Sequence, residues 1–120
     1  MESTPVILVV DDDEDFREQL ARSLSRRGLS VVTASDTATA LARADEAAVN
    51  WAIIDLKIGA ESGLDLLSQL HDRFSSVRSV ILTGSRSPEI AAEATRRGAI
   101  ACVSKPCVLD DLLDHLRGDR

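Results

Sequence analysis

The 120-residue chain contains no tyrosine, one tryptophan and two phenylalanines. With Phe16, Trp51 and Phe74 as its only rings, its core must be aliphatic: Leu, Val, Ile and Ala. Cysteine is equally scarce. Cys102 and Cys107 form neither a disulfide framework nor a zinc pattern, and read as reduced thiols of a cytoplasmic protein. No stretch approaches the ~18 consecutive apolar residues of a membrane span. Residues 1–5 carry no cationic segment leading into an apolar one, so the expectation is no secretory leader and no membrane association. Positive charge is in deficit, with 14 Lys and Arg against 20 Asp and Glu and a net charge of −6. That argues against nucleic-acid binding by this domain. No internal repeat, linker or low-complexity segment interrupts the chain.

What is present describes one folded domain over residues 1–120. The apolar fraction is 44% and the charged fraction 28%, and a chain of this length buries roughly two-thirds of its surface. Apolar runs alternate with helical periodicities. Pro5–Val10 reads as a strand buried on both faces. Phe16, Leu20 and Leu24 then mark a helix stopped by Arg26-Arg27-Gly28. Leu29–Thr33 is a second strand. Ser35 or Asp36 caps a helix that turns Ala38, Leu41 and Ala42 inward. Trp51–Asp55 is a third strand, followed from Ser62-Gly63 by a helix with Leu64, Leu67, Leu70 and Phe74 along one stripe. Arg78–Leu82 is a fourth strand. Ser87-Pro88-Glu89 opens a helix carrying Ile90, Ala91 and Ala94. Ala99–Val103 is a fifth strand, and a last helix lines up Leu109, Leu112, Leu113 and Leu116. Five βα units with short connections and right-handed crossovers specify a flavodoxin-like, doubly wound α/β fold. The sheet has five parallel strands in the order 2-1-3-4-5, with five helices.

In such a sheet the carboxyl ends of all strands share one edge, where ligands bind. That edge would collect Asp11, Asp12 and Asp13 after the first strand, Asp55 after the third, Thr83 after the fourth, and Lys105-Pro106 after the fifth. Asp11–Asp13 alone could simply serve a helix N-terminus. Asp55 has no acidic neighbour in sequence, so that explanation does not reach it. Several desolvated carboxylates at one edge repel one another. A hard divalent cation such as Mg²⁺ relieves this, using carboxylates, a carbonyl and waters. Lys105 adds an ammonium, Thr83 a hydroxyl, and Gly84 room for a ligand. The Lys105-Pro106 bond stands where a cis peptide would make a deliberate turn.

The chain resembles the receiver domain of two-component response regulators, the CheY-like superfamily. The resemblance is carried by Ile7-Leu8-Val9-Val10-Asp11-Asp12-Asp13-Glu14, Ile53-Ile54-Asp55-Leu56-Lys57 with Ser62-Gly63-Leu64, Ile81-Leu82-Thr83-Gly84, and Lys105-Pro106. Within the family, the stretch from Arg17 through Leu20-Ala21-Arg22 to Arg26-Arg27-Gly28, with Asp55-Leu56-Lys57, looks most like the redox-responding branch with Fis-like effectors. The resemblance implies that Asp55 is the phosphoacceptor, supplied by a sensor histidine kinase or phosphotransfer protein. Asp11, Asp12, Asp55 and the Lys57 carbonyl would hold Mg²⁺, with Mn²⁺ as a substitute, Asp11 acting through water. Lys105 would pair with phosphoryl oxygens, Thr83 would hydrogen-bond one of them, and the Lys57 and Gly84 N–H groups would assist. The chain would be a phosphoacceptor that assists its own phosphorylation and dephosphorylation, not an enzyme in its own right. It would switch partner contacts or a homodimer through the face of the fourth helix, fifth strand and last helix, including Glu93, Arg96, Arg97 and Asp110.

The chain departs from the family at three places. Cys102 stands where an aromatic switch residue is usual, Cys107 follows Lys105-Pro106 where Phe is common, and Ile58-Gly59-Ala60-Glu61 replaces a Met-Pro-Gly type loop. None touches the expected metal or phosphoryl ligands. The expectation is that readout runs instead through the backbone of the 83–87 loop and the fourth helix. A redox-sensitive pair of Cys102 and Cys107 is the minor reading of those thiols, small apolar fillers the major one. Two other functions compete. Asp11-Asp12-Asp13 also fits the Asp-x-Asp opening of haloacid-dehalogenase-like phosphatases, with Asp11 as nucleophile, but the later strand ends carry no acid pair. A pseudo-receiver that binds partners without phosphorylation would normally have lost one of Asp11, Asp12, Asp55, Thr83 or Lys105.

Overall fold

The computed structural model describes residues 4–85 and 87–118. Its strands are β1 (Val6–Val10), β2 (Ser30–Ala34), β3 (Trp51–Asp55), β4 (Arg78–Thr83) and β5 (Ala101–Ser104). The helices are α1 (Glu14–Arg26), α2 (Thr37–Ala47), α3 (Gly63–Arg73), α4 (Pro88–Arg96) and α5 (Leu109–Arg117). The strands pair in parallel in the order β2-β1-β3-β4-β5, as the alternation requires.

Strand alternation divides the core into two layers. Ile7, Val9, Ile53, Val80 and Leu82 face α1 and α5, meeting Leu24, Leu112, Leu113 and Leu116. Leu8, Val10, Ala52, Ile54 and Ile81 face the other helices, meeting Ala40, Ala44, Leu66, Leu67, Leu70 and Ala94. With so few rings, the packing is aliphatic throughout, each fully buried Leu or Ile contributing about 1.5–3 kcal/mol before ordering costs.

The helix boundaries follow local chemistry. Asp13, Asp36, Ser62 and Ser87 are N-caps whose side chains accept from first-turn amides. Of the two candidates for α2, the cap is Asp36, whose carboxylate accepts from Thr39 N at 2.7 Å and titrates below its usual range for that reason. Arg78 reaches from the start of β4 to the C-terminus of α5, donating through Nε to Leu116 O at 2.7 Å.

Two local expectations are corrected. In α2, Ala40 and Ala44 are buried while Ala38 and Ala42 are exposed. Alanine at every second position from 38 to 44 leaves no stripe to read, and packing against the sheet decides the phase. Ile100 precedes β5 and is 38% exposed, although its N–H reaches Ser79 O. Two residues of the expected α4–β5–α5 face are tied to neighbouring elements. Arg97 turns to α3, donating to Asp65 Oδ1 at 2.9 Å while its Nε holds Glu93, and Asp110 pairs with Arg27 of α1. Position 97 lies one step round the helix from Arg96, which places it on the α3 side.

Candidate functional site

Parallel pairing delivers every expected site residue to one edge, and the ladder continues past the strands to fix their backbones. Asp11 N donates to Ala34 O, Leu56 N to Leu82 O, and Lys105 N to Thr83 O, at 3.2, 2.8 and 2.8 Å. Carboxylate oxygens of Asp11, Asp12 and Asp55 lie within 4.8 Å of one another. Asp11 is buried, Asp55 half-buried and Asp12 exposed, so the cluster opens to solvent on one side. Asp11 is held at both oxygens: Oδ1 accepts from Asp13 N at 2.9 Å, and Oδ2 lies 3.1 Å from Lys105 Nζ. The same ammonium is 3.0 Å from Asp55 Oδ1. The Lys105-Pro106 bond is cis.

One ammonium thus serves two carboxylates with a third nearby, and the titration directions follow. Burial, then the charges of Asp11 and Asp12, push the Asp55 carboxyl above its usual value in spite of the Lys105 bond. Burial opposes the Lys105 charge, but its bonds to Asp55 and Asp11 win, holding it above the ordinary lysine range. The lysine gains from two anions, while each anion has only a share of one lysine. An uncompensated excess of negative charge remains, on hard oxygen donors, and this donor set fits a divalent cation of the Mg²⁺ or Ca²⁺ class. Lys57, exposed, lies beside the cluster in a two-residue antiparallel pairing, Lys57–Ile58 with Glu61–Ser62.

The structure does not bring Thr83 into contact with the acids. Its hydroxyl donates to Ser85 O at 2.9 Å and accepts from Ser85 N at 3.1 Å, closing a local turn. Gly84 is exposed, and a Cβ built there meets nothing within 4 Å, so no close approach demands glycine. Cys102 and Cys107 are not joined in a disulfide, and burial raises the Cys107 pKa, which suits a filler rather than a reactive group.

Sequence reasoning missed four contributors. The Phe16 ring, counted only as a helix core residue, lies under Lys105, whose Nζ is 4.3 Å from its centroid. Arg17 donates to the Asp11 carbonyl at 2.8 Å and steadies the β1–α1 turn. Glu61 accepts from Thr37 N at 2.8 Å and ties the loop after β3 to the start of α2. Gly63 packs so close behind Asp55 that a Cβ would fall 2.0 Å from the Asp55 carbonyl oxygen. Only the last carried a signal, a glycine opening a helix.

Known proteins are similar to this chain in sequence and fold. The family model for the response regulator receiver domain matches residues 7–117. The chain is 36% identical over 110 residues to the acid tolerance regulatory protein ActR of Sinorhizobium medicae, covering 92% of this chain and 57% of the relative. It is likewise 36% identical to the photosynthetic apparatus regulatory protein RegA of Cereibacter sphaeroides, covering 92% and 60%. It thus spans under two-thirds of the length of these curated relatives. A crystal structure of a response regulator from Burkholderia pseudomallei, with a phosphorylated aspartic acid, calcium ion and citrate, superposes with a TM-score of 0.89. Identity there is 36%, covering 93% of this chain and 66% of that one. A CheY-like receiver domain from Methanospirillum hungatei superposes equally well, at 28% identity, covering 98% and 94%. Sheet order, acidic cluster and family match agree: the chain belongs to the response regulator receiver domain family.

Proposed function

We propose that residues 1–120 form a receiver domain that accepts a phosphoryl group on Asp55 from a sensor histidine kinase or phosphotransfer protein in the cytoplasm. The observation that carries this reading is the shared ammonium: Lys105 stands 3.0 Å from Asp55 and 3.1 Å from Asp11, within a cluster of three carboxylates. Among the described residues no helix is long and apolar enough to cross a membrane.

Two of the acids divide the work by exposure. Asp11 is buried with both oxygens engaged, which suits a fixed ligand. Asp55 is half-buried and open enough to meet a donor, and a carboxylate is a competent covalent nucleophile. Its oxygen attacks the donor's phosphorus; the P–N bond to histidine breaks as the P–O bond forms, leaving an aspartyl phosphate. Mg²⁺, or Mn²⁺ in its place, supplies charge neutralisation for this in-line transfer when held by Asp11, Asp12, Asp55 and the Lys57 carbonyl. Lys105 follows the incoming oxygens from its place beside Asp55 and stays protonated throughout. Thr83 exchanges its Ser85 bonds for a phosphoryl oxygen, and the N–H groups of Lys57 and Gly84 assist. The switched surface is the α4–β5–α5 face, presented to an effector or to a second copy. The domain assists its own phosphorylation and dephosphorylation and turns over no separate substrate.

The test is phosphotransfer with Mg²⁺ and a phosphorylated kinase or small phosphodonor, wild type beside Asp55→Asn, with the site mapped by mass spectrometry. Label on Asp55 that the variant lacks supports the reading. Label on Asp11 supports a phosphatase-type nucleophile, and absence of label on wild type supports a phosphorylation-independent module.

A further inference from the structure

Ser104 closes β5 directly before Lys105, in register with Thr83 of β4. Its Oγ is enclosed and has no hydrogen-bond partner among the described residues. A buried hydroxyl left unpaired disfavours the state in which it occurs by roughly tenfold or more. An orphan of this kind calls for an explanation. Two neighbouring observations supply one. The Thr83 hydroxyl gives its one proton to the Ser85 carbonyl and accepts from the Ser85 N–H, so that hydroxyl and that carbonyl are turned to each other rather than to Ser104. Cys102, two residues earlier on the same strand and the same side, is small, and both residues line, with Val103 and α5 residues such as Asp111, a groove of about 630 Å³.

We propose that Ser104 is the second hydroxyl of the phosphoryl sensor, a positioning residue for the switched state. This rests on the reading of Asp55 as phosphoacceptor. When Thr83 turns its hydroxyl to the phosphoryl group, the Ser85 carbonyl loses its donor. Ser104 then donates to that carbonyl and holds the loop after β4 in its moved position. One hydrogen bond is exchanged for another, and the orphan disappears. The unpaired hydroxyl biases the resting domain toward switching, a role for which position 102 offers no aromatic ring.

The test uses beryllofluoride with Mg²⁺ as the phosphoryl mimic, on wild type, Ser104→Ala and Ser104→Thr. Ser104→Ala should raise the urea midpoint of the unloaded domain, because it removes an unpaired buried group. It should also weaken apparent beryllofluoride affinity about tenfold, because the binding-competent state becomes rarer. Ser104→Thr, which keeps the hydroxyl, should bind as wild type does. A lowered midpoint for Ser104→Ala, or unchanged beryllofluoride affinity, overturns the inference while leaving Asp55 as acceptor intact. Failure of wild type to bind beryllofluoride at all overturns both.

Discussion

Replacing Lys105 with methionine keeps the stem that crosses Phe16 and removes only the charge. Asp11 Oδ2 then loses its partner inside the protein, since the remaining bond from Asp13 N is to Oδ1. Asp55 Oδ1 loses the same ammonium, with Asp12 close by. Removing one member of a buried ion pair costs about 3–5 kcal/mol. A quarter of the Lys105 side chain is exposed, and water screens part of the loss, so about 2–3 kcal/mol is expected at pH 7. The pH dependence is diagnostic. Without the lysine Asp55, already raised, binds its proton still more tightly in the folded state than in the unfolded one. Its penalty is therefore full above its raised folded pKa and vanishes as pH falls to the unfolded value of about 3.9. In wild type the lysine's own contribution persists below the unfolded value of 10.5 and is lost only as pH rises through its raised folded pKa. Urea denaturation of both proteins from pH 4 to 8, with and without Mg²⁺, reads all of this. Mg²⁺ should restore more stability to Lys105→Met than to wild type, because no ammonium has to leave the carboxylates first. A loss under ~0.5 kcal/mol at pH 7, or an equal loss at pH 4 and pH 7, would refute the charge-sharing account.

Three further substitutions or measurements test the scaffold. Gly63→Ala puts a Cβ 2.0 Å from the Asp55 carbonyl oxygen; a destabilisation of about 3 kcal/mol or more is expected in urea, with β3 displaced. Ser62→Ala removes the acceptor for Leu64 N and Asp65 N and should cost about 1 kcal/mol, with the α3 amides exchanging faster in deuterium. Cys107, whose thiol burial keeps protonated, should react with a disulfide reagent at pH 7 more slowly than free cysteine and accelerate as pH rises past 9.0.

The fold was legible because the strands are short and largely apolar, four of the five leading into a polar site residue, and each helix carries a cap or stop with its own chemistry. Parallel order then follows from connection length, and with it the gathering of Asp11, Asp12, Asp55 and Lys105. What escaped the sequence depends on rotation about helices and on contacts between distant segments. Arg97 and Asp110 are charged and helical, but only the placement of α3 and α1 decides where they point. Phe16 fits the spacing of Leu20 and Leu24, yet its position in the first turn of α1 puts it against Lys105 rather than deep in the core. The Thr83 bond to Ser85 spans two residues, but no residue pattern distinguishes it from a hydroxyl aimed at the acids.

These contacts set the energetics of switching. In the resting domain Lys105 is bound to two carboxylates and Thr83 to Ser85. Phosphorylation at Asp55 would therefore exchange contacts rather than create them from nothing. Neutral hydrogen bonds exchanged in this way nearly cancel, at about 1 kcal/mol each. Moving a population from 1:99 to 99:1 takes about 5.5 kcal/mol of differential binding. That difference has to come from the added charge of about −1.5 to −2. Charge-assisted bonds are worth about 1.5–3 kcal/mol apiece; Lys105 already makes them to Asp11 and Asp55, so the net gain would come from Thr83, which trades neutral partners for a charged one, and from new bonds to the added oxygens. An unpaired Ser104 hydroxyl lowers what remains by about 1–3 kcal/mol. On the proposed reading the small side chain at position 102 would be no obstacle to switching: the work that the family resemblance assigns to an aromatic ring would be divided here between the phosphoryl charge and one enclosed hydroxyl.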